Sequence, residues 1–150
     1  DTIKDLVNRY LNVSFSVTKN AGSLIREQIS NDLTEDQYYL LRYMYRVQTS
    51  TSSVLAEEFN VKKSAITAII TRLWEKDLVL RTRDENDRRV VYLTLTEKGK
   101  ELFEKIEERI HKLVESIINQ FEHAEIQQFI STYEKLQMVL EEHKELQLGE

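Results

Sequence analysis

Between residues 60 and 99 the period of the apolar residues changes, and this change leaves few folds open to the chain. In NVKKSAITAIITRLWEKDLVLRTRDENDRRVVYLTLTEKG, Ile66, Ile69, Ile70 and Leu73 recur at i, i+3, i+4 and i+7. That spacing predicts a helix over residues 62–77 with one buried stripe. Next come Leu78, Val79, Leu80, Arg81, Thr82 and Arg83, then a polar tip over residues 84–89. Beyond the tip, Val91, Leu93 and Leu95 alternate with Val90, Tyr92 and Thr94. Period two on both sides of a charged turn predicts a hairpin. The face of the helix opposite the stripe carries Ser64, Ala68 and Thr71, flanked by Thr67 and Arg72. Small and hydrogen-bonding side chains let a helix lie close against another surface. Such a helix followed by a hairpin with a basic tip outlines a winged helix-turn-helix.

The residues upstream supply the rest of that motif. Ile3, Leu6, Val7, Tyr10, Leu11, Val17, Leu24 and Ile25 fall mostly at helical spacings, with Gly22 as a soft spot in a long first helix. A second helix starts at Thr34, an N-cap whose capping box is completed by Gln37, with Leu33 and Tyr38 as a hydrophobic staple. It turns Tyr38, Leu40, Leu41, Met44 and Tyr45 inward and ends near Gln48. A hydroxyl-rich turn over residues 49–53 caps a short third helix holding Val54, Leu55, Ala56 and Phe59. Asn60, tolerant of the left-handed conformation, closes it. A short helix, a tight turn and a second helix is the arrangement that places its second helix in the major groove. Any helical hairpin shares that outline; the basic wing favours DNA.

Charge separates along the chain. The net charge is −5, which taken whole argues against nucleic acid. Residues 61–100, however, hold ten Lys/Arg against six Asp/Glu, whereas residues 1–60 hold six against eight and residues 101–150 five against twelve. Positive charge is confined to the helix and hairpin, the footprint of a polyanion-binding face on an acidic molecule. With no proline and three glycines the chain favours long helices over an all-β fold. No cysteine means no disulfide framework, thiolate metal site or thiol redox switch. No run of eighteen apolar residues spans a membrane. A cytoplasmic location is expected, with a segment before Asp1 left open.

Several residues resemble, in register, the MarR family of bacterial winged-helix transcriptional regulators, and the likeness covers nearly the whole chain. They are Leu55-Ala56, the helix over residues 64–72, Leu78-Val79, and the tip Asp87-Arg88-Arg89. The run Leu95-Thr96-Glu97-Lys98-Gly99 completes them. Asp87 and Arg89 fit the family's D-x-R motif, and Leu95, Thr96 and Gly99 fit its L-T-x-x-G motif. The resemblance implies a homodimer on a pseudo-palindromic operator, usually a repressor released by a small ligand. It also implies an effector pocket between the dimer helices and the DNA-binding lobe. There Tyr10, Phe15, Tyr38, Tyr43 and Tyr45 supply aromatic surface, and Arg42 or Arg46 pairs with an anionic or phenolic effector. Core packing accounts for most of those aromatics equally well.

The chemistry of the expected DNA contacts can be read residue by residue. Ser64, Thr67 and Thr71 suit base edges or phosphates, and Ala68 suits a thymine methyl. Lys62, Lys63 and Arg72 suit phosphates, which give affinity and register. Arg88 and Arg89, as mobile cations on a narrow ribbon with Arg83 behind them, suit phosphates or a narrow minor groove. Asp87 can hold an arginine through a charge-assisted hydrogen bond. Trp74 is expected in the core or against the wing.

From Thr96, which suits an N-cap, Leu102, Phe103, Ile106, Ile110, Leu113, Val114, Ile117 and Phe121 trace an apolar stripe over some seven turns. A further helix carries Ile126, Phe129, Ile130, Tyr133, Leu136 and Leu140. Uncovered stripes imply a partner. The expected dimer interface comprises Ile3, Leu6, Leu113, Ile117, Phe121, Phe129, Tyr133, Leu136 and Leu140. The fold expected is mainly α. Residues 32–99 form the winged helix-turn-helix with its two-stranded wing, and residues 1–31 and 100–150 the helical dimerisation region. No phosphate loop, nucleophile elbow or catalytic triad order is present, so neither an enzyme nor a cofactor is expected. His111 with Glu107 and Glu108 is the one metal-like spacing, and an exposed polar helix face explains it better. The alternative function is a winged-helix protein-interaction module without sequence-specific DNA binding.

Overall fold

The computed structural model describes residues 1–29 and 31–148. Position 30 and residues 149–150, inside the stretches expected to dimerise, lie outside them. The element order is α1 (Ile3–Ile29), α2 (Glu35–Val47), α3 (Ser52–Glu58), α4 (Lys63–Glu75), β1 (Val79–Arg83), β2 (Val91–Leu95), α5 (Glu97–Ile118) and α6 (His123–Leu148). The chain divides into two compact units, residues 1–110 and 111–150.

In the first unit, α1 runs unbroken through Gly22. Thr34 caps α2 by accepting from the Gln37 N–H, while the Gln37 side chain accepts from the Thr34 N–H at 3.2 Å, the reciprocal bonds of a capping box. Leu33, Tyr38, Leu40, Leu41 and Met44 are buried as the spacing predicts, with Tyr45 only partly covered. Gln48 ends α2 at φ 74° and ψ −54°, and the Thr49 N–H donates to Val47 O at 2.9 Å. That is a γ-turn of the rare, strained kind. Thr51 caps α3 by accepting from the Val54 N–H. Asn60, at φ 54°, turns the chain left-handed between α3 and α4.

Ile66, Ile70 and Leu73 bury their side chains in one core with Leu55, Leu40 and Leu41, with Ile69 at its margin. Leu78, Val79, Leu93, Leu95, Phe103 and Ile106 complete that core. The strands pair antiparallel, with Val79 opposite Leu95, Arg81 opposite Leu93 and Arg83 opposite Val91. Ser50 adds one backbone bridge to the outer edge of β2: its N–H donates to Leu93 O at 3.1 Å and the Leu93 N–H returns the bond at 2.8 Å.

In the second unit, α5 stops at Ile118, one turn short of the expected stripe. The hydrogen bonds there tighten to i−3, Gln120 N–H to Ile117 O and Phe121 N–H to Ile118 O, so Phe121 sits in the turn before α6. On α6 the Phe129 and Tyr133 rings stack with centroids 5.2 Å apart.

Candidate nucleic-acid interface

The exposed side of α4 is set by the core that holds its other side. With Ile66, Ile70 and Leu73 pointing inward, Lys62, Lys63, Ser64, Thr67, Ala68 and Arg72 are exposed. Lys62 is the N-cap residue and makes no side-chain cap, so the first N–H groups of α4 keep their partial positive charge toward an anion. The Thr67 hydroxyl donates back to Lys63 O at 3.0 Å, leaving its lone pairs outward. Thr71 differs from the expectation of a free reader. It is half-buried, and its Oγ1 accepts from the Arg81 guanidinium at 2.9 Å.

Two contacts fix the base of the wing. A Cβ placed on Gly99 would lie 2.2 Å from Leu78 O, so only glycine lets α5 start this close to the strand. Thr96 sits between them: its N–H donates to Leu78 O at 3.1 Å, its hydroxyl donates to Asp77 O at 2.7 Å, and its Oγ1 accepts from the Gly99 N–H at 2.9 Å. The L-T-x-x-G run is therefore the joint between wing and helix. Ser50 holds the other edge.

The tip is ordered by one carboxylate to which no sequence motif points. Asp84 accepts from the N–H groups of Asn86 and Asp87 at 2.8 and 3.1 Å and from the Tyr92 hydroxyl at 2.7 Å. These donors hold the Asp84 carboxyl below the usual aspartate range, and the hydrogen bond to that carboxylate, with its negative charge, pushes the Tyr92 phenol up. Arg83 donates to Arg88 O at 2.8 Å, across the tip. Arg89 is not mobile; it is the arginine that Asp87 holds, the pairing the D-x-R spacing allows. Its Nε and Nη2 donate to the two Asp87 oxygens at 3.1 and 3.3 Å, and its N–H donates to the same carboxylate. This fork lowers the Asp87 carboxyl and fixes the guanidinium at the rim of the ribbon. Trp74 is half exposed on α4, with the Arg81 guanidinium 4.9 Å above its ring; it packs on the wing and not in the core.

The residues expected to line an effector pocket fall into two groups. Tyr10 and Phe15 are exposed on α1. Tyr38 is a core residue whose hydroxyl donates to Glu107 at 2.8 Å and whose ring stacks on Phe103. Burial and the Glu107 carboxylate push its phenol far up. Arg42 also pairs with Glu107; burial opposes its charge, but the hydrogen-bonded carboxylate outweighs that and holds it protonated. Tyr45 donates to Glu104 at 3.2 Å. Positions 38, 42 and 45 thus fasten one side of α2 to two carboxylates one turn apart on α5. Tyr43 packs on Phe59, with the Arg46 guanidinium above its ring. Among the described residues, no group of three or more His, Asp or Glu side chains is placed to hold a metal. Of the expected dimer residues, Ile3, Leu6, Ile117, Phe121, Phe129, Tyr133 and Leu140 are exposed, and Leu113 and Leu136 partly so.

Known proteins are similar to this chain in sequence and fold. The model of the MarR family matches residues 33–91, the span from the α2 cap to the second wing strand. The transcriptional regulator FarR of Neisseria gonorrhoeae is 33% identical over 86 residues, 57% of this chain and 59% of its own length. A MepR-like protein crystallised with pseudoligands is 31% identical, with 89% of this chain and 95% of that one aligned at a TM-score of 0.64. FabT of Streptococcus pneumoniae, solved in complex with DNA, is 27% identical over 93% of this chain and 98% of its own, at a TM-score of 0.76. Motifs, fold and relatives agree, and the chain belongs to the MarR family.

Proposed function

We propose that this chain regulates transcription, by repression, as a homodimer bound to a pseudo-palindromic operator. Residues 32–99 engage the DNA, and residues 1–31 and 100–150 form the dimer. The observation that carries this reading is the pairing of two exposed features on one rigid frame. The Ser64–Thr67–Ala68 face of α4 is small enough to lie in a major groove. The wing beside it presents Arg88 and Arg89 from a tip ordered by Asp84 and Asp87. Lys62, Lys63 and Arg72 flank the helix face for phosphates.

Two copies related by a two-fold axis place two such faces on successive turns of the duplex, which accounts for a palindromic site. The exposed apolar residues of α1, α5 and α6 supply the surface for that pairing. A small aromatic or anionic effector releases the protein, bound between the dimer helices and the winged lobe near Arg42. The reading is tested by selecting bound sequences from a random duplex pool with the intact protein. Recovery of an inverted repeat with half-sites about one helical turn apart is expected. Recovery of no preferred sequence would sink the reading.

A further inference from the structure

The strand register brings one more arginine to the recognition helix. Arg81 lies opposite Leu93, a buried residue, so its side chain leaves β1 on the face turned toward the domain. There it meets α4. The guanidinium sits 4.9 Å above the Trp74 ring and donates to Thr71 Oγ1 at 2.9 Å. Trp74 and Thr71 are three residues apart, one above the other on the same flank of the helix. Arg81 is exposed and Trp74 half exposed, so hydrophobic burial does not explain the cluster. A planar cation stacked on an indole and hydrogen-bonded at its edge is a directional arrangement that a lysine ammonium does not reproduce.

We infer that Arg81 is a positioning residue for sequence recognition: clamped between Trp74 and Thr71, it fixes the Thr71 hydroxyl on α4 and locks the wing to that helix. The inference rests on the DNA-binding reading above. Arg81 donates to Thr71, so one lone pair of that hydroxyl is occupied, and its own O–H is left to donate outward. Thr71 then offers bases an acceptor-seeking group and not an undirected one. Without Arg81 the hydroxyl turns freely and the wing pivots about its Gly99 and Ser50 anchors. Thr71 and Arg81 therefore act as one unit, and their losses do not add.

The test is a double-mutant cycle on the selected operator and a scrambled duplex, with Arg81→Ala, Thr71→Val and the pair. Each single change is expected to cut operator affinity roughly tenfold, and the pair no more than either alone. Arg81→Lys keeps the charge; it should lose operator affinity like Arg81→Ala while holding scrambled-duplex affinity and salt slope. The sequence contains a single tryptophan among seven tyrosines, so the emission of the DNA-free protein, excited at the red edge where tyrosine does not absorb, reads Trp74 alone. That emission should shift in Arg81→Ala and in Arg81→Lys, with far-ultraviolet dichroism unchanged, and should be nearly unaltered in Thr71→Val. Additive losses, or an Arg81→Lys protein that binds operator as the parent does, would overturn the clamp while leaving the DNA reading intact. An unshifted emission spectrum would overturn it without any DNA measurement. If the parent protein shows no operator preference, both readings fall together.

Discussion

A Cβ added at Gly99 would stand 2.2 Å from the Leu78 carbonyl oxygen, an atom that also accepts the Thr96 N–H. Alanine is favoured over glycine inside a helix by about 1 kcal/mol, but here the neighbour is backbone and cannot yield without opening the joint. Gly99→Ala is therefore expected to destabilise the fold by about 1–3 kcal/mol, the usual cost of overpacking, as measured by urea denaturation. A more stable variant would show that the wing joint has slack. At the tip, the carboxyls of Asp84 and Asp87 lie below their ordinary value and the Tyr92 phenol lies above its own. For the two aspartates the added stability is complete above the unfolded value of about 3.9 and is lost as pH falls through the lowered values. For the tyrosine it is complete below about 10 and is lost as pH rises through the raised value. Tip amide and Tyr92 ring shifts should thus be flat between those limits and move together outside them. A single transition near neutrality would contradict the network.

Among the elements, α4 and the wing take different tasks in the proposed complex. In the proposed complex Arg89, held by Asp87 at the ribbon's rim, meets phosphates or a minor groove whose pattern is degenerate. Arg89→Ala should weaken operator and scrambled duplexes by similar factors. It should also flatten the salt slope by about one unit for each phosphate that a subunit no longer neutralises. Titrations at several salt concentrations decide the point; loss of operator preference at constant salt slope would make the wing a sequence reader. The helices and hairpin are legible in sequence because their signals are local: the Thr34–Gln37 box spans three residues, and the strand alternation flanks one turn. The D-x-R fork between Asp87 and Arg89 is equally local. What stays hidden joins distant elements. Ser50 meets Leu93, and Tyr38 and Arg42 meet Glu107 some 65 to 69 positions away. Periodicity assigns a residue to a face but does not name its partner across the core. Thr71 looks free in sequence for the same reason, since Arg81 reaches it from another element.

For the whole molecule, the exposed apolar residues of α1, α5 and α6 call for a second copy. The mass in dilute solution should be twice the 17.8 kDa of one chain. A charged replacement at Ile117 or Leu136 should give monomer or insoluble protein, since an unpaired buried charge costs about 3–5 kcal/mol. A folded monomer at every concentration would rule out the paired operator as well. The bridge between Ser50 and Leu93 bears on how the molecule opens. Leu93 lies on the outer edge of a two-stranded ribbon, where an amide ordinarily exchanges its hydrogen with water within the lifetime of a brief local fluctuation. Here its N–H is donated to Ser50 O at 2.8 Å, and its side chain is in the core. Its hydrogen should exchange only when the segment between α2 and α3 lifts off β2, more slowly than an unbonded edge amide would. The wing then has two lifetimes in one hairpin: its base keeps time with the segment between α2 and α3, and its tip with the local hydrogen bonds of Asp84 and Asp87.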